Sequence, residues 1–231
     1  LQLQSSTNFS VAKNILKIIS DEYEENRRLI WNGFQEILSL QTPNRKYVLL
    51  TICNTGSLAT SSWGTALGVI QALHQADLVE MVYALETRPY NQGIRLTASE
   101  LREARIPFKI ITDNSVAWVM QRSRVDAILV GKFNLIIVKV WKYVDGQFGR
   151  VPFYAVVPFT TVNPSIQSGK DITIEERPSA EMISINGKFI VPEETPVWNP
   201  AFDITPAELI KKIITDRGNF VPNDLKYAIE K

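Results

Sequence analysis

Two counts limit the chemistry open to this chain: of 231 residues, one is a cysteine, Cys53, and one is a histidine, His74. An internal disulfide, a histidine-based triad and a multi-cysteine or multi-histidine metal cluster are therefore excluded. Cys53 opens the run Cys53-Asn54-Thr55-Gly56-Ser57-Leu58-Ala59-Thr60, which leads to Gly64-Thr65-Ala66-Leu67-Gly68 at the start of a helical pattern. Small residues let backbone amides approach an anion, and a helix N-terminus favours negative charge. This loop is thus expected to accommodate a phosphate or sugar phosphate. The same field is expected to lower the pKa of Cys53. The competing reading is a small buried hydrophobe at a strand end, the commoner fate of a free cysteine.

A second loop reads Glu86-Thr87-Arg88-Pro89-Tyr90-Asn91-Gln92-Gly93, followed by Arg95 and Thr97. A carboxylate, guanidinium groups and two amides in so short a stretch suit a polyhydroxyl phosphate ligand. They equally suit a capped loop with Glu86 paired to Arg88 or Arg95. His74, in a helix before a connecting loop, reads as a helix-end residue. Near the C-terminus Asp203 is expected to cap a helix over Thr205–Thr215. Lys139 and Lys142 beside Trp141 read as a solvated strand face.

Short β-rich runs alternating with helical stretches position these loops. Strands are expected at Tyr47–Ile52, Val79–Leu85, Phe108–Thr112 and Ala127–Val130. Helices are expected at Trp63–Ala76, through Leu101, and at Ser115–Gln121. One helix between successive strands predicts right-handed β-α-β units: an α/β, Rossmann-like parallel sheet flanked by helices. Ligands of such sheets sit beyond the carboxyl ends of the strands. Ahead of the sheet, apolar residues at helical spacing over Ser10–Leu40 predict two helices or one long bent one. The breaker cluster Thr42-Pro43-Asn44 gives a division into a helical region, 1–43, and a sheet domain, 44–231. The run Leu135–Val144, the turn Asp145-Gly146 and the run Val151–Val157 predict a hairpin that breaks the parallel alternation. Asn223–Glu230 is expected to be a short helix.

Composition excludes whole classes of function. The chain is 45% apolar and 21% charged, as globular proteins are, which argues against disorder. Its net charge is +1, with 25 basic against 24 acidic residues, so nucleic-acid binding through bulk electrostatics is not expected. No apolar run approaches the roughly 18 to 20 residues of a membrane span. The expected site is the cytoplasm, with the nucleus as a second compartment. The chain opens at Leu1 rather than methionine, which suits a processed product or a fragment of something longer.

With these loops in view, the sequence resembles the methylthioribose-1-phosphate isomerases within the initiation-factor 2B-like family. The resemblance is carried by Leu50–Thr60, Gly64–Ile70, Glu86–Ala98, Ile111-Thr112-Asp113, Glu175–Pro178, Val197–Pro206 and Ile213–Gly218. It implies a helical N-terminal domain before a Rossmann-like one, and a homodimer. The implied reaction is an aldose-to-ketose conversion of 5-methylthioribose 1-phosphate into 5-methylthioribulose 1-phosphate in methionine salvage, with no metal or organic cofactor. By the same resemblance Cys53 is the catalytic cysteine. Asn54, Gly56, Gln92, Gly93 and Lys139 are the implied substrate contacts. Where the family has Gly-Ala-Asp-Arg, with the Asp as general acid, this chain has Gly131-Lys132-Phe133-Asn134, and a phenyl ring holds no proton to donate. Asp113, Asp126 and Asp203 are the carboxylates that could stand in. Two readings follow: a sugar-phosphate isomerase, or a catalytically inactive binding or regulatory relative.

Overall fold

A computed structural model describes residues 2–40, 45–60, 62–131, 151–163, 165–166, 169–225 and 228. The N-terminal pattern forms one continuous helix, α1 (Gln2–Leu38). The sheet then builds through β1 (Tyr47–Thr51), α2 (Ala66–Gln75), β2 (Val79–Leu85), α3 (Ala98–Glu103), β3 (Phe108–Ile111), α4 (Val116–Arg122) and β4 (Ala127–Gly131). It continues through β5 (Phe153–Val156), a small hairpin led by α5 (Ala180–Ile183) and made of β6 (Ser184–Ile185) and β7 (Lys188–Phe189), and finally β8 (Lys212–Thr215) and β9 (Gly218–Phe220).

The seven-stranded sheet runs β3-β2-β1-β4-β5-β8-β9, parallel from β3 to β8, with β9 antiparallel at the edge. This is the expected Rossmann-like α/β architecture. The chain winds outward from β1 in both directions, so the switch point lies between β1 and β4, where a ligand crevice forms. Both faces of the sheet are buried, which explains the nearly continuous apolar runs of β1 and β4. Leu49 and Leu129 join Leu67, Ile70, Leu73 and Leu101 on one face; Leu50, Ile128 and Val130 join Val116 and Met120 of α4 on the other. Leu29 and Ile37 of α1 are fully buried in the first of these cores, so the second half of α1 packs with the sheet.

Three expectations are corrected. β5 pairs in parallel with β4 (Ile128 opposite Phe153) and with β8, so the alternation does not break there; Leu135–Val144 and the Asp145-Gly146 turn lie outside the described residues. The expected helix over Thr205–Thr215 is instead one short turn, Ala207–Leu209, followed by β8. Ile213 and Ile214 are β-branched, and pairing with β5 inside the sheet outweighs the helical spacing of the apolar residues before them. Near the C-terminus a short 3-10 turn occupies Pro222–Asp224, and the rest of the expected helix falls largely outside the described residues.

Candidate functional site

The switch point presents Cys53, two residues beyond the end of β1, partly buried and with φ of 68°. Thr87, two residues beyond the end of β2, has φ of 65°. A left-handed non-glycine residue costs on the order of 1 to 3 kcal/mol and persists where its surroundings over-determine it. The surroundings of Cys53 do so. Its backbone N–H donates to Thr87 Oγ1 at 2.8 Å, and its carbonyl accepts the Thr97 hydroxyl at 2.5 Å. Thr87 in turn is fixed by Asp113, whose carboxylate accepts the backbone N–H groups of Thr87 and Arg88 at 2.8 and 2.7 Å. Both ends of the second loop therefore grip Cys53, and Gln92 lies midway along that loop. The Gln92 side chain has no hydrogen-bond partner among the described residues.

The loop that follows Cys53 holds an anion supplied by the chain itself. Glu100, buried on α3, accepts the Ser57 N–H and Ser57 hydroxyl at 2.7 Å each, the Asn54 side-chain amide at 2.8 Å and the Leu58 N–H at 3.4 Å. Gly56 is small for the same reason: a Cβ there would lie 2.3 Å from Glu100 Oε2. The first turn of α2 is also engaged internally, since Leu67 N–H donates to Thr55 Oγ1 at 3.1 Å. The expected lowering of the Cys53 pKa is thereby corrected. Burial pushes the thiol above its ordinary value, and the backbone hydrogen bond from Asn54 opposes this more weakly. Gly93 is fixed by close backbone approach, since a Cβ there would meet the Leu85 carbonyl oxygen at 1.6 Å. The Asn54 Oδ1 is buried and has no partner among the described residues.

Sequence blocks far apart in the chain meet beside this loop. Arg88 donates to the carbonyls of Glu181 and Met182 at 3.0 and 3.1 Å, and Arg95 to the carbonyl of Tyr90 at 3.1 Å, in place of the expected pairing with Glu86. Arg177 stacks on Tyr90 at 4.3 Å and pairs with Glu175 and Glu181. The side-chain amide of Asn199, itself fully buried, donates to Pro178 O at 3.2 Å.

The three carboxylates proposed as stand-in acids have other positions. Asp113 braces the second loop. Asp126 sits at the amino end of the sheet, where Arg45 and Arg124 pair with it at 2.9 and 3.1 Å and Val48 N–H donates to it at 2.8 Å. Val48 and Cys53 are five residues apart along β1, about 16 Å at strand rise. Asp203 accepts only its neighbour, the Ile204 N–H at 2.7 Å, and no helix follows for it to cap. His74 occupies the last turn of α2, as a helix-end residue. Lys139 and Phe133 lie outside the described residues; β4 ends at Gly131, against the side chains of Thr55 and Thr65. A cavity of about 810 Å³ opens between α1 and α2, lined by Arg28, Trp31, Phe34 and Asp216 among others. It adjoins the first core rather than the second, where Cys53 packs. Glu100 is the residue that sequence reasoning missed: nothing local distinguishes it from Glu103 on the same short helix.

Comparison with known proteins agrees with this geometry. The initiation factor 2 subunit family matches residues 3–136 and 146–222. The chain is 52% identical over 225 residues to a methylthioribose-1-phosphate isomerase of Caenorhabditis elegans, covering 94% of this chain and 62% of that protein. It is 40% identical to the Trichoplax adhaerens protein of that name, over 95% of this chain and 63% of the other. Among solved structures, 5-methylthioribose 1-phosphate isomerase from Pyrococcus horikoshii matches with a TM-score of 0.86 at 34% identity, covering 98% of this chain and 64% of that one. Subunit delta of translation initiation factor eIF-2B from A. fulgidus matches with a TM-score of 0.78 at 36% identity, over 92% and 63%. The chain thus spans somewhat less than two thirds of the length of these relatives. Matched along most of its length by one family model, and sharing its fold with solved members, the chain belongs to the initiation factor 2 subunit family.

Proposed function

We propose that this chain carries the sugar-phosphate pocket of an aldose–ketose isomerase, converting 5-methylthioribose 1-phosphate into 5-methylthioribulose 1-phosphate in methionine salvage. The observation that carries the reading is Cys53, held in a left-handed turn at the switch point by threonines from both ends of the glutamine loop. The proteins of known name at 40 to 52% identity support the same substrate. Ring opening needs a proton delivered to the ring oxygen, and isomerisation then moves hydrogen between the first two carbons. The reaction has no net oxidation, so no redox cofactor is required. With its pKa raised by burial, Cys53 faces the transferring hydrogen as a neutral thiol near pH 7. Gln92, with its free amide, and Asn54, through its unpartnered Oδ1, are the proposed sugar contacts. Gly56 and Gly93 shape the pocket walls, and Lys139 is the proposed phosphate partner.

A second reading is favoured by one observation. Phe133 stands where the family's general acid is expected, and losing such an acid typically removes about 10²-fold to 10⁴-fold of rate. On that reading the chain binds a sugar phosphate without turning it over. Assay of the purified chain with and without Cys53→Ala, together with ligand-induced thermal stabilisation, separates the two. Turnover that disappears in Cys53→Ala supports the isomerase; stabilisation without turnover supports the binding relative. Equal turnover in both proteins removes the thiol from the mechanism, and neither turnover nor stabilisation ends the pocket reading. The proposed assembly is a homodimer, supported by exposed Ile185, Phe189 and Ile190 of the β6–β7 hairpin and Trp198 close to it in sequence, an apolar surface of the sort that partners cover. No helix among the described residues is long and apolar enough to cross a membrane. The proposed compartment is the cytoplasm, with the nucleus as a second one.

A further inference from the structure

We infer that Thr97 and Glu100, three residues apart where the second loop becomes α3, are positioning residues that set the conformation and reactivity of the Cys53 thiol. The inference rests on the pocket reading above and goes further, to what holds the pocket in shape. Cys53 cannot keep a positive φ by its own preference, since a side chain disfavours that region. The Thr97 hydroxyl donates to the Cys53 carbonyl and receives the Asn54 side-chain amide at 3.4 Å. The same Asn54 amide donates to Glu100, which also binds both polar hydrogens of Ser57. Residues 53, 54 and 57 are thus pinned, one after another, to a single helical turn.

The donors on Glu100 are all neutral: two backbone amides, one hydroxyl and one carboxamide. No cation among the described residues neutralises the charge. A carboxylate satisfied in this way keeps a negative potential near the thiol, which opposes thiolate formation in the same direction as burial does. The loop amides would otherwise favour the thiolate, as they do where an anion-binding turn faces a cysteine. Glu100 therefore occupies the turn that could have activated the sulfur, and keeps Cys53 protonated.

Alkylation of Cys53 by iodoacetamide across a pH series tests this without any need for turnover. Thr97→Val is nearly isosteric but removes the donor to the Cys53 carbonyl. It is expected to alkylate about tenfold faster than the parent, the equivalent of one neutral hydrogen bond, with its pH midpoint moved down toward the ordinary thiol value. Thr97→Ser restores the hydroxyl and should restore the parental midpoint, a rescue that a merely space-filling role would not show. Ser57→Ala, on an exposed part of the loop, removes one donor to Glu100 and should give a shift in the same direction of roughly twofold to threefold. Unchanged rate and midpoint in folded Thr97→Val would overturn the inference. Should that variant not fold, unchanged values in Ser57→Ala would do the same. The isomerase reading has its own fate: a parent protein that shows the thiol shifts but binds no sugar phosphate loses the pocket and keeps the positioning residues. Where turnover is present, Thr97→Val is expected to lower kcat with KM within about twofold, because the hydroxyl faces the protein rather than the ligand.

Discussion

The two ends of β1 solve the same problem in opposite ways. At the amino end Asp126, its side chain 6% exposed, is satisfied by two arginines, each more than a third exposed, and by one backbone amide. At the carboxyl end Glu100, 6% exposed, is satisfied by neutral donors from the thiol loop. The first arrangement cancels charge and fastens a strand. The second leaves charge in place and fastens a loop in a conformation that the loop would not otherwise adopt. In an α/β sheet the carboxyl ends of the strands are where ligands sit, so conformational control is concentrated there while neutralisation suffices at the other end.

That contrast breaks most readily at Glu100. Glu100→Ala strands the Ser57 amide, the Leu58 amide and the Asn54 carboxamide, and should lower unfolding free energy in urea by about 3 kcal/mol, on the order of 1 for each donor. Gly56→Ala forces the same carboxylate aside and should cost about 2 kcal/mol in the parent but close to nothing in the Glu100→Ala background. Additive costs would mean that the glycine serves some other contact. At the opposite end Asp126→Asn keeps an acceptor for Val48 and loses only partly screened charge pairs. About 1 kcal/mol is expected, reduced by roughly half in 0.5 M salt, whereas the Glu100→Ala cost should be insensitive to salt.

The smallest effect sharpens the comparison within the carboxyl end itself. There Glu181 is paired with a cation, and the hydrogen-bonded Arg177 guanidinium holds its carboxyl below the ordinary value of 4.5. Because the folded state favours the carboxylate, its contribution is fully present above that value and is lost as pH falls through the lower, folded-state one. Glu181→Gln should melt slightly below the parent at pH 7, and the two melting curves should coincide once the pH is low enough to protonate Glu181 in the folded chain. A difference that persists in acid would point to packing rather than charge.

Much of the scaffold could be read from residue types alone. The strands from Tyr47 to Gly131 fall within a residue or two of their expected limits, because buried parallel strands leave continuous β-branched and aliphatic runs. The position of Cys53 at a strand end, and the convergence of the two polar loops on it, follow from that alternation. β8 was less legible: a proline, a Glu and spaced aliphatic residues imitate a helix start, and only the neighbouring β5 decides between the two. The sign of the thiol shift was illegible for a related reason. Small residues show that a loop can surround an anion, but not whether the anion arrives from solvent or from a helix forty-odd residues further along the chain. Glu100 answers that through tertiary contact, which no local pattern encodes.

The stitching of α1 to the sheet edge has a consequence for how the chain is made. Asn32 donates to the Thr215 carbonyl at 2.8 Å, Asn219 donates to the Asn32 carbonyl at 3.1 Å, and Lys212 pairs with Glu36 at 2.8 Å, partners separated by 176 to 187 positions. On the ribosome α1 is among the earliest helices to emerge and can settle on α2 soon afterwards, yet its polar flank must wait until β8 and β9 have left the exit tunnel. Such long-range closure raises contact order and slows the final step, which makes the half-docked nascent helix a natural client for a chaperone.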